Sequence, residues 1–306
     1  MNIKILIIFS LLSIVFLSGC IEKNEEVGYS DEALKLETEI SEKTEGIRIL
    51  PGQTVRMIVY LTNQVENPVK DVDFYISNPY GIMISRVDCG FGCVCERGSN
   101  SCGNVSCDYN GCHFDEIQSL DQYEIDFSLK IPSEEEISYF GWELKPELTL
   151  EYNYSGVSIL YLPILKYGEK MEKPSSEFTQ TKGPIHVDIQ SDKWISSGSI
   201  FPLYVSVKDV INSQSRIKIE KNNFHLSIPD YIELNETEIG RCDFSKGDGY
   251  YIPKKGDIML PLKNPLVCTL KANVTIPMVK APIQAEYSYR YRVVKTEDIK
   301  VEHAIA

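Results

Sequence analysis

The densest chemistry in this 306-residue sequence is the run Cys89-Gly90-Phe91-Gly92-Cys93-Val94-Cys95, followed by Cys102, Cys107 and Cys112, with His113 adjacent. Thiolates beside an imidazole suit zinc, Cu(I) or an iron–sulfur cluster. The spacing argues against that use, because no Cys-x-x-Cys pair occurs and structural zinc sites typically present two such knuckles. Oxidised in pairs, the six sulfurs instead staple a segment that Gly90, Gly92, Gly98, Gly103 and Gly111 mark as loop. Sequence does not choose among the pairings, except that Cys93 and Cys95 would close a strained ring with each other. The expectation is three disulfides within residues 89–112, with no metal and no cofactor. The alternative is a metal- or redox-handling loop. Cys242 and Cys268 remain as a fourth pair: Cys268 shares an apolar parity with Leu266, Leu270, Ala272, Val274 and Ile276, and Cys242 shares one with Phe244.

Other chemistry is sparse. The four histidines are His113, His186, His225 and His303, and none sits in an HExxH motif. No GxSxG elbow, P-loop or GxGxxG opens a helix. A carboxylate pair for glycoside hydrolysis has no fixed spacing, but the acidic residues read most simply as solvated charge on polar strand faces. The chain is therefore not expected to be an enzyme. Tyr152 and Tyr154, with Tyr287, Tyr289 and Tyr291, recur at period 2; cross-strand packing is preferred to a sugar-stacking platform. Four sequons, at Asn104, Asn153, Asn235 and Asn273, are candidate glycosylation sites.

The N-terminus says where this chemistry takes place. Lys4 is followed by an apolar run from Ile5 to Leu17, the charged and hydrophobic regions of an export signal, and too short for the ~17–25 residues of a membrane span. Leu17-Ser18-Gly19-Cys20 resembles the lipobox of prokaryotic lipoproteins, and a surface lipoprotein of archaeal type is the suspected kinship. That resemblance implies a signal peptide over 1–20, lipidation of Cys20, and an extracellular chain anchored in the cell membrane by its N-terminus. In such a compartment the eight cysteines beyond Cys20 pair. Losing Lys4 takes the net charge from −13 to −14, which argues against nucleic acid, whose phosphates need Lys and Arg.

The elements that must position the cysteines are strands. Residues 21–31 read as an acidic tether. Leu34, Leu36 and Ile40 then alternate with polar residues, and strand is preferred there over helix. Val55, Met57, Val59 and Leu61 alternate, as do Tyr123, Ile125, Phe127, Leu129 and Ile131. Ser155-Gly156 reads as a hairpin turn between Tyr154 and Val157. Residues 167–183, with Gly168, Pro174 and Gly183, read as a linker. Beyond it the sequence repeats: Gly52-Gln53 matches Gly198-Ser199, Phe74–Pro79 matches Phe224–Pro229, Phe127–Pro132 matches Ala272–Pro277, and Glu151–Tyr154 matches Glu286–Tyr289. Strand order, and the segment Leu50–Asn63 above all, resembles the immunoglobulin-like modules of prokaryotic surface proteins. The resemblance implies an all-β fold of two tandem β-sandwiches, over 32–166 and 184–306, the first carrying the Cys-rich loop of residues 89–112. Trp142 and Trp194 are not placed for the Cys–Trp–Cys arrangement of true immunoglobulin domains. The implied function is a non-enzymatic structural, adhesive or binding module of the cell envelope, meeting another envelope protein or a glycan.

Overall fold

The computed structural model describes residues 30–79, 81–96, 98–168, 174–192, 194–211, 217–234 and 241–303. The expected signal peptide over 1–20 with Cys20, most of the expected tether, and Asn235 lie outside the described residues. The described residues are all-β apart from two short α-helices, α1 (Ser41–Thr44) and α2 (Glu134–Phe140), and a 3-10 turn at Lys221–Asn223. Its first half forms β1 (Leu34–Ile40), β2 (Thr54–Asn63), β3 (Val69–Asn78), β4 (Met83–Asp88), β5 (Val94–Cys95), β6 (Asn100–Cys102), β7 (Val105–Cys107), β8 (Gly111–Ile117), β9 (Gln122–Lys130), β10 (Glu143–Leu144) and β11 (Glu147–Leu165). The second half forms β12 (Glu177–Gln180), β13 (Ile185–Gln190), β14 (Ile195–Ser196), β15 (Ile200–Asp209), β16 (Lys218–Ile219), β17 (Phe224–Ser227), β18 (Ile232–Leu234), β19 (Phe244–Lys246), β20 (Tyr251–Pro253), β21 (Ile258–Met259), β22 (Leu266–Ala272), β23 (Met278–Thr296) and β24 (Ile299–Lys300).

Period-2 patterning decides the strands. Leu34 and Ile40 are buried because β1 pairs along its length with β2; strand wins over helix there. The alternating apolar residues Val55, Met57, Val59 and Leu61 of β2 and Ile125, Phe127 and Leu129 of β9 all enter the core.

The sequence repeat is also a repeat of topology. One sheet has the order β1-β2-β9-β4-β5 and another β13-β15-β22-β18. Counting β1, β2, β3, β4, β9 and β11 in the first half and β13, β15, β17, β18, β22 and β23 in the second, the first, second, fifth and fourth strands lie side by side in each. The third and sixth strands of both halves, β3 with β11 and β17 with β23, belong to a single large sheet. At its centre β11 and β23 pair antiparallel over all 19 residues, from Glu147↔Thr296 to Leu165↔Met278. Along β11 the inward residues Leu148, Leu150, Tyr152 and Tyr154 are followed by Ser158, Leu160, Leu162 and Ile164 on the same parity, and all are buried. Phe74, opposite Leu150, meets Phe127 of the first sheet, while Tyr287 and Tyr289 bond Ile185 of the second. Both smaller sheets therefore pack against the same face of the shared one. Each half uses the extended sixth strand of the other as its seventh.

Three expectations change here. Ser155-Gly156 is not a turn, since β11 runs straight through it. Its glycine answers to packing: a Cβ at Gly156 would lie 2.5 Å from the ring of Tyr287. Within the expected linker, residues 177–180 form β12 and pair with Ser158–Tyr161 of β11. In the second half β22 ends at Ala272, so Ile276 does not continue its inward face and is 53% exposed.

Candidate binding groove

The cysteine-rich segment does not project from an end of the sandwich. It lies along one side, as β5 on the edge of the β1-β2-β9-β4-β5 sheet and as β6, β7 and β8 extending the shared sheet beyond β3. Cys89 pairs with Cys112, Cys93 with Cys102 and Cys95 with Cys107. The bonds therefore tie the β4–β5 edge of one sheet to the β6–β8 edge of the other. Closing loops of this size contributes about 3 kcal/mol each by restricting the unfolded chain. Five of these cysteines are buried, and all six sulfurs are consumed in pairs, leaving no thiolate for a metal. Cys242 and Cys268 form the fourth bond, with Cys268 fully buried.

The outward face beside this knot carries a polar row that crosses six strands. Ser101 of β6 stands opposite Ser106 of β7, Ser106 opposite His113 of β8, and His113 opposite Asp73 of β3; Asp73 faces Glu151 of β11, and Glu151 faces Arg292 of β23. Strict alternation puts these six side chains on one face while Cys112, Phe74 and Leu150 point inward.

Within the row His113 Nδ1 lies 2.7 Å from Asp73 Oδ1, and Nε2 lies 3.4 Å from Asp115 Oδ1. Arg290 gathers the remaining carboxylates: Nη1 donates to Asp71 Oδ2 at 2.7 Å, Nε to Glu151 Oε2 at 3.1 Å, and Nη2 to Asp73. Burial alone would pull the Arg290 guanidinium down, but Glu151 and Asp73 hold it above its ordinary range. A bulge makes this clustering possible. The β3–β11 register slips between Glu151 and Asn153, and Asp71 adopts φ 53°, which turns its carboxylate to the outer face, where Asn153 Nδ2 also donates to it at 2.8 Å. Asp71, Asp73 and His113 are close enough to share a cation, but the Arg290 guanidinium already pairs with both aspartates. The same row aligns Ser106, His113 and Asp73, the residue types of a nucleophilic triad. Here the second imidazole nitrogen faces the Asp115 carboxylate, so the ring is clamped between two acids.

The row borders a groove of about 790 Å³, lined by Asp73, Tyr75, Ser101, Ser106, Asn110 and His113 among others. Its floor is tightly fitted: a Cβ at Gly111 would lie 2.0 Å from the carbonyl oxygen of Phe74. The glycosylation candidates are dispersed. Asn104 is exposed between β6 and β7, Asn153 is exposed and bonded to Asp71, and Asn273 is exposed after β22. Sequence reasoning located the cysteines but missed the row. Its signal was present as polar residues at Asp71, Asp73 and Tyr75 and at His113 and Asp115, alternating with apolar neighbours.

No known family profile and no curated protein matches this sequence. Solved structures with some likeness include AvmM, which catalyses macrocyclization in alchivemycin A biosynthesis, at 8% identity and TM-score 0.23 over 50% of this chain and 90% of that one. The Enterococcus faecalis MSCRAMM ACE, which binds its ligands by the collagen hug model, is 9% identical, with TM-score 0.23 over 89% of this chain and 96% of that one. Escherichia coli alpha-2-macroglobulin activated by porcine elastase is 10% identical, with TM-score 0.13 over 91% of this chain and 22% of that one. Likeness at these scores carries no argument about function, which rests on the residues themselves.

Proposed function

We propose that the protein is a non-enzymatic binding module of the cell envelope, held on the outer face of the membrane by a lipid on Cys20, with the knot-side groove as its contact surface. The observation that carries this reading is the groove itself: its edge strands are fixed by three disulfides, so little ordering entropy is lost when a partner docks. The lipobox-like Leu17-Ser18-Gly19-Cys20 and four disulfide pairs favour an exported chain. The strongly acidic surface suits solubility beside a membrane. Candidate N-glycans at Asn104, Asn153, Asn235 and Asn273 belong to the same reading.

The test uses the protein in its native membrane. Mass analysis should find an N-terminus at lipid-modified Cys20, and proteases added to intact cells should reach the chain. A photo-crosslinker placed at the exposed Tyr109, between the groove-lining Asp108 and Asn110, should capture an envelope component that one placed at Glu286, on the far half of the shared sheet, does not. A chain that begins at Met1 and fractionates with the cell interior, or equal capture from both positions, overturns the proposal.

A further inference from the structure

We infer that the groove beside the knot binds a short neutral oligosaccharide; this rests on the binding-module reading and names the class of partner. Its volume, about 790 Å³, lies within the ~300–1,000 Å³ of small-ligand clefts. The chemistry of the lining decides what fits. No lysine or arginine lines it, so nothing there draws a phosphate, sulfate or carboxylate, and the acidic chain repels polyanions.

The acids that do line it are already engaged. Asp73 bonds His113 and Arg290. Asp108 Oδ1 accepts from the backbone N–H groups of Asn110 at 2.7 Å and Gly111 at 2.9 Å, so it is committed to the turn. What the groove offers a ligand is mainly uncharged: the hydroxyls of Ser99, Ser101 and Ser106 and the amide of Asn110, the Asn100 amide being held by Val94 and Ser101. Hydroxyls and amides both donate and accept, and a polyol needs such partners because each of its own hydroxyls does the same.

Two aromatic rings complete the match. Tyr75 lines the groove, its hydroxyl donating to Glu151 at 3.0 Å so that its tilt is fixed. Tyr109, between the lining residues Asp108 and Asn110, is 61% exposed, and an exposed aromatic ring offers an apolar face to the C–H surface of a sugar. The disulfides at Cys107 and Cys112 hold this lining in place before the ligand arrives.

The experiment presents the whole disulfide-bonded protein to an array of neutral, sialylated and sulfated oligosaccharides and to a peptide library. The affinity of each hit is then measured calorimetrically. Neutral glycans should bind. Asn110→Ala should weaken them roughly threefold to tenfold, as expected for one lost hydrogen-bonding group. Ser101→Arg, which fills the groove from an exposed position, should abolish binding, while Glu286→Ala should leave it unchanged. Ser106 is left intact because it completes the Asn104 sequon. Each variant is first shown by intact mass to retain four disulfides. Binding of anionic glycans or peptides in place of neutral sugars overturns the inference, as does neutral-sugar binding indifferent to Ser101→Arg. If no sugar binds while the Tyr109 crosslinker still captures an envelope component, the ligand class is wrong and the binding-module reading stands. If both fail, both are wrong.

Discussion

Tyr154 and Tyr289 stand directly opposite each other in the β11–β23 ladder, with ring centroids 5.9 Å apart. They are also equivalent residues of the sequence repeat, each the last of its Glu-Tyr-x-Tyr motif. The two halves meet at this pair, in the middle stretch of the shared sheet's longest ladder. Around it Tyr152 packs on Tyr291, and Tyr287 and Tyr291 both flank Tyr289. Each such contact adds ~0.5–1.5 kcal/mol beyond the area buried. The seam between the halves is thus core, and each half is completed by the other's strand.

This arrangement predicts that the halves stay together when the chain between them is cut. A protease site introduced at Tyr167, 83% exposed just after β11, should allow complete cleavage. The two fragments should then co-elute under native conditions, melt in one transition and separate only in denaturant. Independent melting of the fragments would show that the exchanged strands do not couple them.

Gly156 is predicted to be intolerant of any side chain. Gly156→Val would drive two methyl groups into the Tyr287 ring, which a Cβ alone already approaches to 2.5 Å. Overpacking of this kind costs ~1–3 kcal/mol. The substitution would stabilise a strand if the position were an open one, so a fall in the thermal midpoint, read by calorimetry, identifies packing as the reason for the glycine.

This residue also shows where sequence reasoning stops. Alternation at Leu34–Ile40, Val55–Leu61 and Tyr123–Ile131 reads directly as strands, because burial of one face imposes period 2 locally. The repeat was legible for the same reason, since equivalent strands face equivalent cores. Gly156 was read as a turn because a glycine after a polar residue carries the same local signal whether it bends the chain or admits a ring from 131 positions away (156 to 287). The cysteine pairings and the Asp71 bulge were illegible for a related reason: both depend on which strands become neighbours, and no local pattern encodes that. The candidate row from Ser101 to Arg292 needs the register of five strand pairs at once.

The buried tyrosines predict alkaline lability. Burial pushes the hydroxyls of Tyr152, Tyr154 and Tyr289 above their ordinary value. Folded groups then hold protons that the unfolded chain releases near pH ~10. Stability is fully present below that pH and falls as pH rises above it. Tyrosinate absorbance should show the seam tyrosines ionising in one cooperative step coincident with loss of β-sheet circular dichroism. Smooth titration of all tyrosines near pH ~10 with the fold intact would contradict their burial.

Asp243 predicts the acid side. It is buried beside the Cys242–Cys268 bond. Burial alone would raise its carboxyl, but the Val267 N–H, which donates at 2.9 Å, and the nearby Arg241 and Lys255 lower it below its ordinary value. A depressed carboxyl stabilises the fold above the unfolded value of ~3.9 and loses that contribution as pH falls through the lower folded value. Asp243→Asn should therefore lower the melting temperature at neutral pH and narrow its distance from the parent protein below pH ~4. A constant offset at every pH would mean that the carboxylate's charge is not what matters.

Arg290 supplies the sharpest test of the outer-face cluster. Its guanidinium is part-exposed, so surface pairing is worth only ~0–1 kcal/mol per contact, and Arg290→Met should change stability little. Its electrostatic consequence is larger. Removing the one cation that bridges Asp71, Asp73 and Glu151 leaves three carboxylates beside His113, a donor set that suits a divalent transition ion. Calorimetric titration with zinc should detect binding at this cluster in the variant and none there in the parent protein, and a further His113→Ala change should remove it. Zinc binding of equal strength in parent and variant would show that Arg290 does not stand in the cation's place. In that case the metal-handling reading would have to be reopened on Asp71, Asp73 and His113 rather than on the disulfide-bonded cysteines.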